Sequence, residues 1–332
     1  MKKNEKKNLG NDIQNSVPGT RVELTRVGVT GLRRALRLER GPGRDNALFF
    51  AEMDMFARLS SERSGVHMSR FIENMEDAAF SMASESAPDI ETLAERMAFA
   101  VARAQGTERA EIRIRAQFPR TRRAPVSGTE AEDLYTFVGI AVSDGHLSGR
   151  AVGVEVTGLT VCPCALEMVT EQNRAALAAA GYSREQVNEI SSLVTSASHN
   201  QRGKATLLMG TRTPIRAEEL AEIAEASMSS EIYGLLKRPD ELHVVSRAHS
   251  RPRFAEDVVR EMIKGVAANF TRLAGDTFVM ARQENFESIH AHNAYAERCG
   301  LLCDMRDELE GKTKRALSRV SSLESWLDGI LQ

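Results

Sequence analysis

Two tracts of this chain pass through the same succession of apolar periodicities, and that repetition limits the available folds more than any other feature. From Arg21 to Glu39 the apolar positions Val22, Leu24, Val27, Val29 and Leu32 follow a strand-like pattern broken by Gly28 and Gly31. The segment 41–46, Gly-Pro-Gly-Arg-Asp-Asn, reads as a turn, and Ala47 to Leu59 alternates again through Phe49, Met53 and Met55. The two runs predict a hairpin. Helical spacing follows over Ser69 to Ser81 and Pro88 to Gln105, with Asp89 placed to cap the second helix. Ala110 to Phe118 and Leu134 to Val142 return to strand spacing, so the order is ββααββ.

The second tract repeats it. Ala151 to Val161 and Lys204 to Gly210 are strand-like, separated by a helical excursion from Leu166 to Val194. Helices are expected over Arg216 to Leu236, where Ala221, Ala224 and Met228 form a stripe, and over Ala255 to Leu273. Thr277 to Gln283 and Ile289 to Tyr295 read as a last hairpin, and Lys314 to Leu331 as a terminal helix. Two antiparallel modules with helices on one face make an α+β protein. The expected divisions are a disordered lead-in over 1–20, a first module over 21–148, a second over 149–300 with a helical insertion at 165–198, and a helical extension over 301–332.

At 332 residues the chain exceeds one compact core. A net charge of −2 provides no global basic field for a nucleic-acid backbone, and 5% aromatics argue against a base-stacking platform. Four cysteines in a chain this long do not make a disulfide framework. Without a leader or a long apolar run, the reading is a cytoplasmic protein with reduced thiols and no membrane partner.

Polar and soft side chains gather in a few short segments. In 157–164, Thr-Gly-Leu-Thr-Val-Cys-Pro-Cys, two thiols flank a proline that biases Cys162 towards an extended conformation. In an extended chain Cys162 and Cys164 would face one pocket; two partly buried structural cysteines are the alternative. In 64–70, Ser-Gly-Val-His-Met-Ser-Arg, His67 and Arg70 stand just before a helix, either as an anion site or as an ordinary capped entry. His199 precedes a strand, and Glu241, in the Arg-Pro-Asp-Glu run at 238–241, is read at a helix end. With Cys162 and an acid, His199 would form a mixed S/N/O set of the kind that holds a catalytic divalent metal. Glu256 falls in the first turn of a helix, where the dipole alone favours it, though a carboxylate there can also accept two hydrogen bonds from a guanine-like edge. His290 and His292 would share a strand face beside Glu287. Cys299 and Cys303 have no His or acid cluster about them and are read as structural.

Together the segments Gly-Val-His-Met-Ser-Arg-Phe (65–71), Gly-Leu-Thr-Val-Cys-Pro-Cys (158–164), His-Asn-Gln-Arg-Gly (199–203), Arg-Pro-Asp-Glu (238–241), Arg-Phe-Ala-Glu-Asp-Val-Val-Arg (253–260) and Phe-Glu-Ser-Ile-His-Ala-His-Asn-Ala-Tyr-Ala (286–296) resemble the type IB GTP cyclohydrolase I family. The resemblance implies a tunnelling fold (T-fold): two tandem ββααββ modules per chain, assembled as a barrel-like homotetramer with active sites at subunit interfaces. It implies opening of the imidazole ring of GTP with loss of formate, giving 7,8-dihydroneopterin triphosphate at the entry to folate and pterin synthesis. Carried over, Cys162, His199 and Glu241 would be ligands of a divalent metal (Zn, Mn or Fe(II)), and Cys164 would lie near the reacting carbon. Glu256 would anchor the guanine, His290 supported by Glu287 would transfer protons, and His67, Arg70 and His292 would contact substrate.

One departure stands out. Ala165 to Ser198 separates the Cys-Pro-Cys turn from His199, where many bacterial members have a short connection. The longer connection fits the archaeal branch, whose members are associated with Fe(II) and a 2′,3′-cyclic phosphate of dihydroneopterin. Another T-fold purine or pterin enzyme is the first rival, and a nucleotide-binding protein without catalysis is the second. Formate release from GTP separates the cyclohydrolase from both.

Overall fold

The computed structural model describes residues 12–38, 47–84, 89–312 and 320–332. It is a mixed α/β structure built on antiparallel strands, and it divides into two compact units. The first comprises Met1–Arg115, Gly139–Arg150 and Ile330–Gln332; the second comprises Ala116–Val138 and Ala151–Gly329.

In the first unit, β1 (Leu24–Leu38) pairs antiparallel with β2 (Ala47–Leu59), from Leu24 opposite Leu59 to Leu38 opposite Ala47. The expected turn at 41–46 lies outside the described residues. Period-two burial along β2 (Ala51, Met53, Met55, Ala57, Leu59) is the mark of a strand with one covered face. Helices α1 (Met68–Ser84) and α2 (Ile90–Gln105) pack on each other and contribute Phe71, Met75, Leu93, Met97 and Val101 to the core. Asp89 occupies the N-cap position of α2 without a capping hydrogen bond, and Gly106 closes the helix in the left-handed region. Strands β3 (Ala110–Arg123) and β4 (Glu130–Ser143) follow; this unit includes β3 up to Arg115, with Ile112 and Ile114 fully buried, and β4 from Gly139, and 116–138 belong to the second unit. Within the stretch expected to be a disordered lead-in, Ile13–Asn15 forms a short 3-10 helix. The carbonyls of Gln14 and Ser16 accept hydrogen bonds from Gly65 and Ser64.

In the second unit, β5 (Ser148–Val161), β6 (Asn200–Gly210), β8 (Phe278–Asn285) and β9 (Ala294–Leu301) are joined edge to edge, all antiparallel. A two-residue strand β7 (Ser230–Glu231) adds to β5 at Gly158 and Leu159. Val154, Val156, Ala205, Leu207, Met209, Val279 and Ala281 are buried on one face. Against the sheet lie α5 (Ala217–Ala226), on β6, and α7 (Ala255–Asn269), on β8 and β9. Helix α6 (Arg238–Ser250) packs by β7, and α8 (Leu302–Leu309) and α9 (Leu323–Ile330) end the chain. Residues 313–319 of the expected terminal helix lie outside the described residues.

Several expected elements differ. The helical excursion is an αα-hairpin, α3 (Pro163–Ala179) and α4 (Arg184–Leu193), turned at Gly181 with φ +94° and capped by a reciprocal Ser183–Gln186 box. The helix expected over Arg216 to Leu236 stops at Ala226, because Ser229 and Ser230 leave it to pair with β5. The Arg-Pro-Asp-Glu run begins a helix instead of ending one: Pro239 sits in the first turn of α6, where its missing N–H costs nothing. The final hairpin is shifted: residues 286–293 form the loop between β8 and β9, so His290 and His292 are not on a strand.

A buried polar network joins β3, β4 and α5 within the second unit. Glu225 accepts from Tyr135 Oη and from Arg122 Nη1, both at 2.6 Å, and Arg122 lies 4.5 Å over the Tyr233 ring. Burial pushes the Glu225 carboxyl up even with these donors; burial and the Glu225 charge together push the Tyr135 hydroxyl up. Alanine at Glu225 would leave a guanidinium buried without its carboxylate, and is expected to cost about 3–5 kcal/mol in urea unfolding. An unchanged midpoint would show that the pair contributes nothing.

Candidate active site

The site forms where β5 and β6 end together. Their last pair is Val161 opposite Asn200, and one step further the Cys162 N–H donates to the His199 carbonyl at 3.3 Å. The strand end is tied on several sides. Ser229 Oγ accepts from Val161 N–H at 3.2 Å, Ser198 Oγ donates to the Cys162 carbonyl at 2.9 Å, and Arg253 N–H donates to the Val161 carbonyl at 3.0 Å. This last bond holds the start of α7 to the residue preceding Cys162.

Cys162 is the N-cap of α3, with φ −70° and ψ 115°, and its Sγ accepts from Ala165 N–H at 3.5 Å. Pro163 occupies the first helical position and commits the chain to helix there. The two sulfurs therefore do not share one side of an extended chain, contrary to the expectation. Cys162 is half-buried, whereas Cys164 is exposed in the helical first turn.

His199 is inserted among polar groups. Its Nδ1 lies 3.1 Å from Gln201 Oε1, 3.5 Å from Ser288 Oγ and 3.9 Å from Glu287 Oε2. Gln201 Nε2 donates to Thr160 Oγ1 at 3.1 Å and to Glu287 Oε1 at 3.3 Å. The side chains of His199 and Glu287 are only 12% and 10% exposed, so both work largely out of water. The His290 ring stands edge-on to His199 at 6.4 Å and stacks on His292 at 5.2 Å. The 286–293 loop is fastened by Phe286 N–H to the Arg202 carbonyl at 2.9 Å and by Asn293 Nδ2 to Glu284 Oε1 at 3.1 Å.

Cys162, His199, Glu287, His290 and His292 are thus brought to one strand end. Glu241 is not. It is exposed in the first turn of α6, and its buried neighbour Asp240 takes the structural part of the motif. Asp240 accepts from the N–H groups of Val126, Ser127 and Lys237 and from Ser127 Oγ. Burial opposes its charge, but these donors outweigh burial and hold the carboxyl well below the usual range. Among the described residues no three His, Cys, Asp or Glu side chains are grouped closely enough to hold a metal. Cys162 and His199, a soft and an imidazole donor, stand opposite each other at the strand ends through their main-chain hydrogen bond, and they form no group of three with Glu241.

Glu256 is exposed in the first turn of α7. His67 and Arg70 belong to the first unit and have partners there. Gln105 clasps the His67 main chain at 3.2 and 2.8 Å, His67 Nε2 lies 3.5 Å from Asp12 Oδ1, and Arg70 Nη1 donates to the Ala104 carbonyl at 2.9 Å.

Sequence reasoning missed Gln201, Thr160 and Ser288. A signal existed for the first: Gln201 is two residues from His199 on a strand, hence on the same face.

Comparison with known proteins gives the family. The description "Type I GTP cyclohydrolase folE2" matches residues 11–296. GTP cyclohydrolase MptA of Methanothermobacter thermautotrophicus is 38% identical over 306 residues, covering 90% of this chain and 96% of that protein. MptA of Methanobrevibacter smithii is 37% identical, covering 90% and 97%, and that of Methanocaldococcus jannaschii is 36% identical with the same coverage. Among solved structures, uricase from Arthrobacter globiformis aligns with a TM-score of 0.46 at 8% identity, covering 82% of this chain and 92% of that one. A Bacillus fastidious uricase aligns at 0.47 and 10% identity, covering 90% and 99%. On the extent of the family match and of the shared identity, the chain belongs to the type I GTP cyclohydrolase folE2 family.

Proposed function

We propose that the polar group at the β5–β6 end opens the imidazole ring of GTP: one water adds at C8 and a C8–N bond breaks to leave a formamide, and a second water hydrolyses the formamide to release formate and the free amine. The chain is a GTP cyclohydrolase by family membership. What carries the assignment of the site is the buried imidazole–carboxylate arrangement of His199, Gln201 and Glu287, with His290 edge-on to it. An imidazole and a carboxylate largely excluded from water are suited to moving protons on and off the attacking water and the leaving ring nitrogen. His290 supported by Glu287, with His292 stacked behind, takes the proton-transfer role. Cys164 lies against the reacting carbon, and Glu256 accepts from the guanine N–H edge. His67 and Arg70 serve the triphosphate or ribose.

A divalent cation, Zn, Mn or Fe(II), belongs to the proposal on the donor chemistry of Cys162 and His199. It would supply electrophilic activation of water. Glu241 is the remaining acid of the motif.

We further propose that the chain is of the type IB group and has the T-fold. The order β1-β2-α1-α2-β3-β4, and the later β5-β6 and β8-β9 pairs enclosing α5, α6 and α7, support two ββααββ modules. Cys164, Glu241 and Glu256 are all exposed in the single chain. A purine site buries most of its ligand, so the missing walls fit a homo-oligomer, a tetramer in this reading, with sites between subunits.

Ribose rearrangement and ring closure with loss of water then give one of two products: dihydroneopterin triphosphate, or, if pyrophosphate also leaves, the 2′,3′-cyclic phosphate of dihydroneopterin. The α3–α4 hairpin between Cys162 and His199, together with the three methanogen relatives, favours the cyclic phosphate. Anaerobic incubation of metal-loaded protein with GTP, with formate assayed and the pterin weighed by mass spectrometry, tests both levels. Formate with either pterin upholds the reaction and selects the product; no formate with any metal overturns it. Alanine at Cys162 is expected to lower both bound metal and formate release by at least about 100-fold with assembly unchanged. Normal metal content in that variant would remove Cys162 from the ligand set.

A further inference from the structure

Gln201 is 6% exposed, on the buried face of β6, and its side chain is in contact with His199, Glu287 and Thr160 at the end of β5 at once. Its amide can face only one way. A carboxylate accepts and cannot donate, so the amide atom 3.3 Å from Glu287 Oε1 must be the NH₂ group. Reversal would set two oxygens against each other there and bring an NH₂ against the His199 ring. With NH₂ committed to Glu287 and to Thr160 Oγ1 at 3.1 Å, the amide oxygen is left 3.1 Å from His199 Nδ1. An oxygen in that place requires a proton on Nδ1. The neutral imidazole therefore keeps its lone pair on Nε2.

We propose that Gln201 is a positioning residue that holds His199 in the Nδ1–H tautomer and ties it to Glu287, so that Nε2 is the nitrogen offered to the reaction. This rests on the assignment of His199 to the active site. Free imidazole side chains favour the opposite tautomer, so the environment must supply the preference. The support is itself buried: Thr160 is fully buried at the end of β5, and the backbone of Gln201 is locked in register opposite it. Close by on the same face, Gly203 leaves room for the buried Gln283–Asn285 pair. A Cβ there would meet Gln283 Nε2 at 2.1 Å, so the strand carrying Gln201 is shaped to sit over polar side chains.

The test is nitrogen NMR of the full chain labelled at histidine, treated with chelator so that no ligand on Nε2 imposes the tautomer, and held at one pH. His199 is identified by loss of its signals in His199→Gln. The wild type is expected to show a protonated Nδ1 and a bare Nε2. Gln201→Leu should shift His199 to the Nε2–H form and lower kcat for formate release about 10–100-fold with KM for GTP within about twofold. Gln201→Glu, which still accepts from Nδ1 but no longer donates to Glu287, should keep the tautomer. Thr160→Val, a milder change, should keep it as well. A bare Nδ1 in the wild type, or an unchanged tautomer in Gln201→Leu, overturns the proposal. Absence of formate from the wild type would instead strike the functional assignment and leave the tautomer result standing.

Discussion

Alanine in place of His199 is expected to reduce formate release from GTP by at least about 10³-fold, within the range lost when a positioned acid–base group is removed. The reason is its location. The imidazole is the group that Gln201, Glu287, Ser288 and His290 all border. Stability should change little. The structural bond at this position is made by the His199 carbonyl, which accepts from Cys162 N–H and is retained by alanine. The β5–β6 ladder ends at Asn200 and is also retained. Steady-state formate assays paired with urea unfolding give the answer. Activity within tenfold of wild type at unchanged stability would remove His199 from the chemistry. A large loss of stability would show that the network holds the strand end more than it serves the reaction.

How much of this was legible beforehand depends on the range over which each feature is determined. Strand alternation in β2, β5 and β6 is a local property, and Met53, Met55, Val154, Val156, Leu207 and Met209 are buried as the pattern requires. The position of His199 at the mouth of β6 and of Glu256 in the first turn of α7 also follow from local signals. Errors arose where one local signal has two meanings. Pro239 reads equally as the stop of one helix or the first turn of the next, and the four hydrogen bonds of Asp240, three of them from Val126 and Ser127 far along the chain, decide for a start. Pro163 does hold Cys162 extended, as its residue type indicates, but it opens α3 directly after it, and that takes Cys164 off the extended line. The alternation of Ile289, His290, Ala291 and His292 imitates a strand. Phe286 N–H is instead taken by the Arg202 carbonyl just past the β6–β8 ladder, and the chain loops. The relation of Glu241 to Cys162 and His199 is a tertiary quantity with no local signature. The same holds for Gln201, whose role appears only once Glu287 is brought from 86 residues away.

Glutamine at Glu91 is expected to stabilise the protein at pH 8 by about 3 kcal/mol and to have almost no effect below about pH 4.5. Glu91 lies in the first turn of α2 and is 3% exposed. Burial pushes its carboxyl up to about 7; a backbone hydrogen bond and the Arg150 charge pull the other way, while Asp89 and Glu95 add to the rise. Arg150 is already engaged, donating to Glu95 Oε2 at 2.8 Å and to Thr92 Oγ1 at 3.1 Å. Room for a rearrangement is small, because Gly139 packs against the backbone of Ile90 and Glu91, where even a Cβ would approach within 3.0 Å. The folded-state value lies above the unfolded one, so folding favours the neutral acid. That contribution is complete below about pH 4.5 and is lost as the pH rises through 7, where the folded chain must bury a carboxylate. Glutamine keeps the shape and remains neutral throughout, so it avoids the loss. Urea unfolding of wild type and variant across pH 4.5 to 8.5 should give curves that nearly coincide at the acid end, diverge as the pH rises from about 4.5, and keep a constant separation above about pH 7.5. Parallel curves over the whole range would show that Glu91 finds a compensating charge and ionises in the fold at its ordinary value.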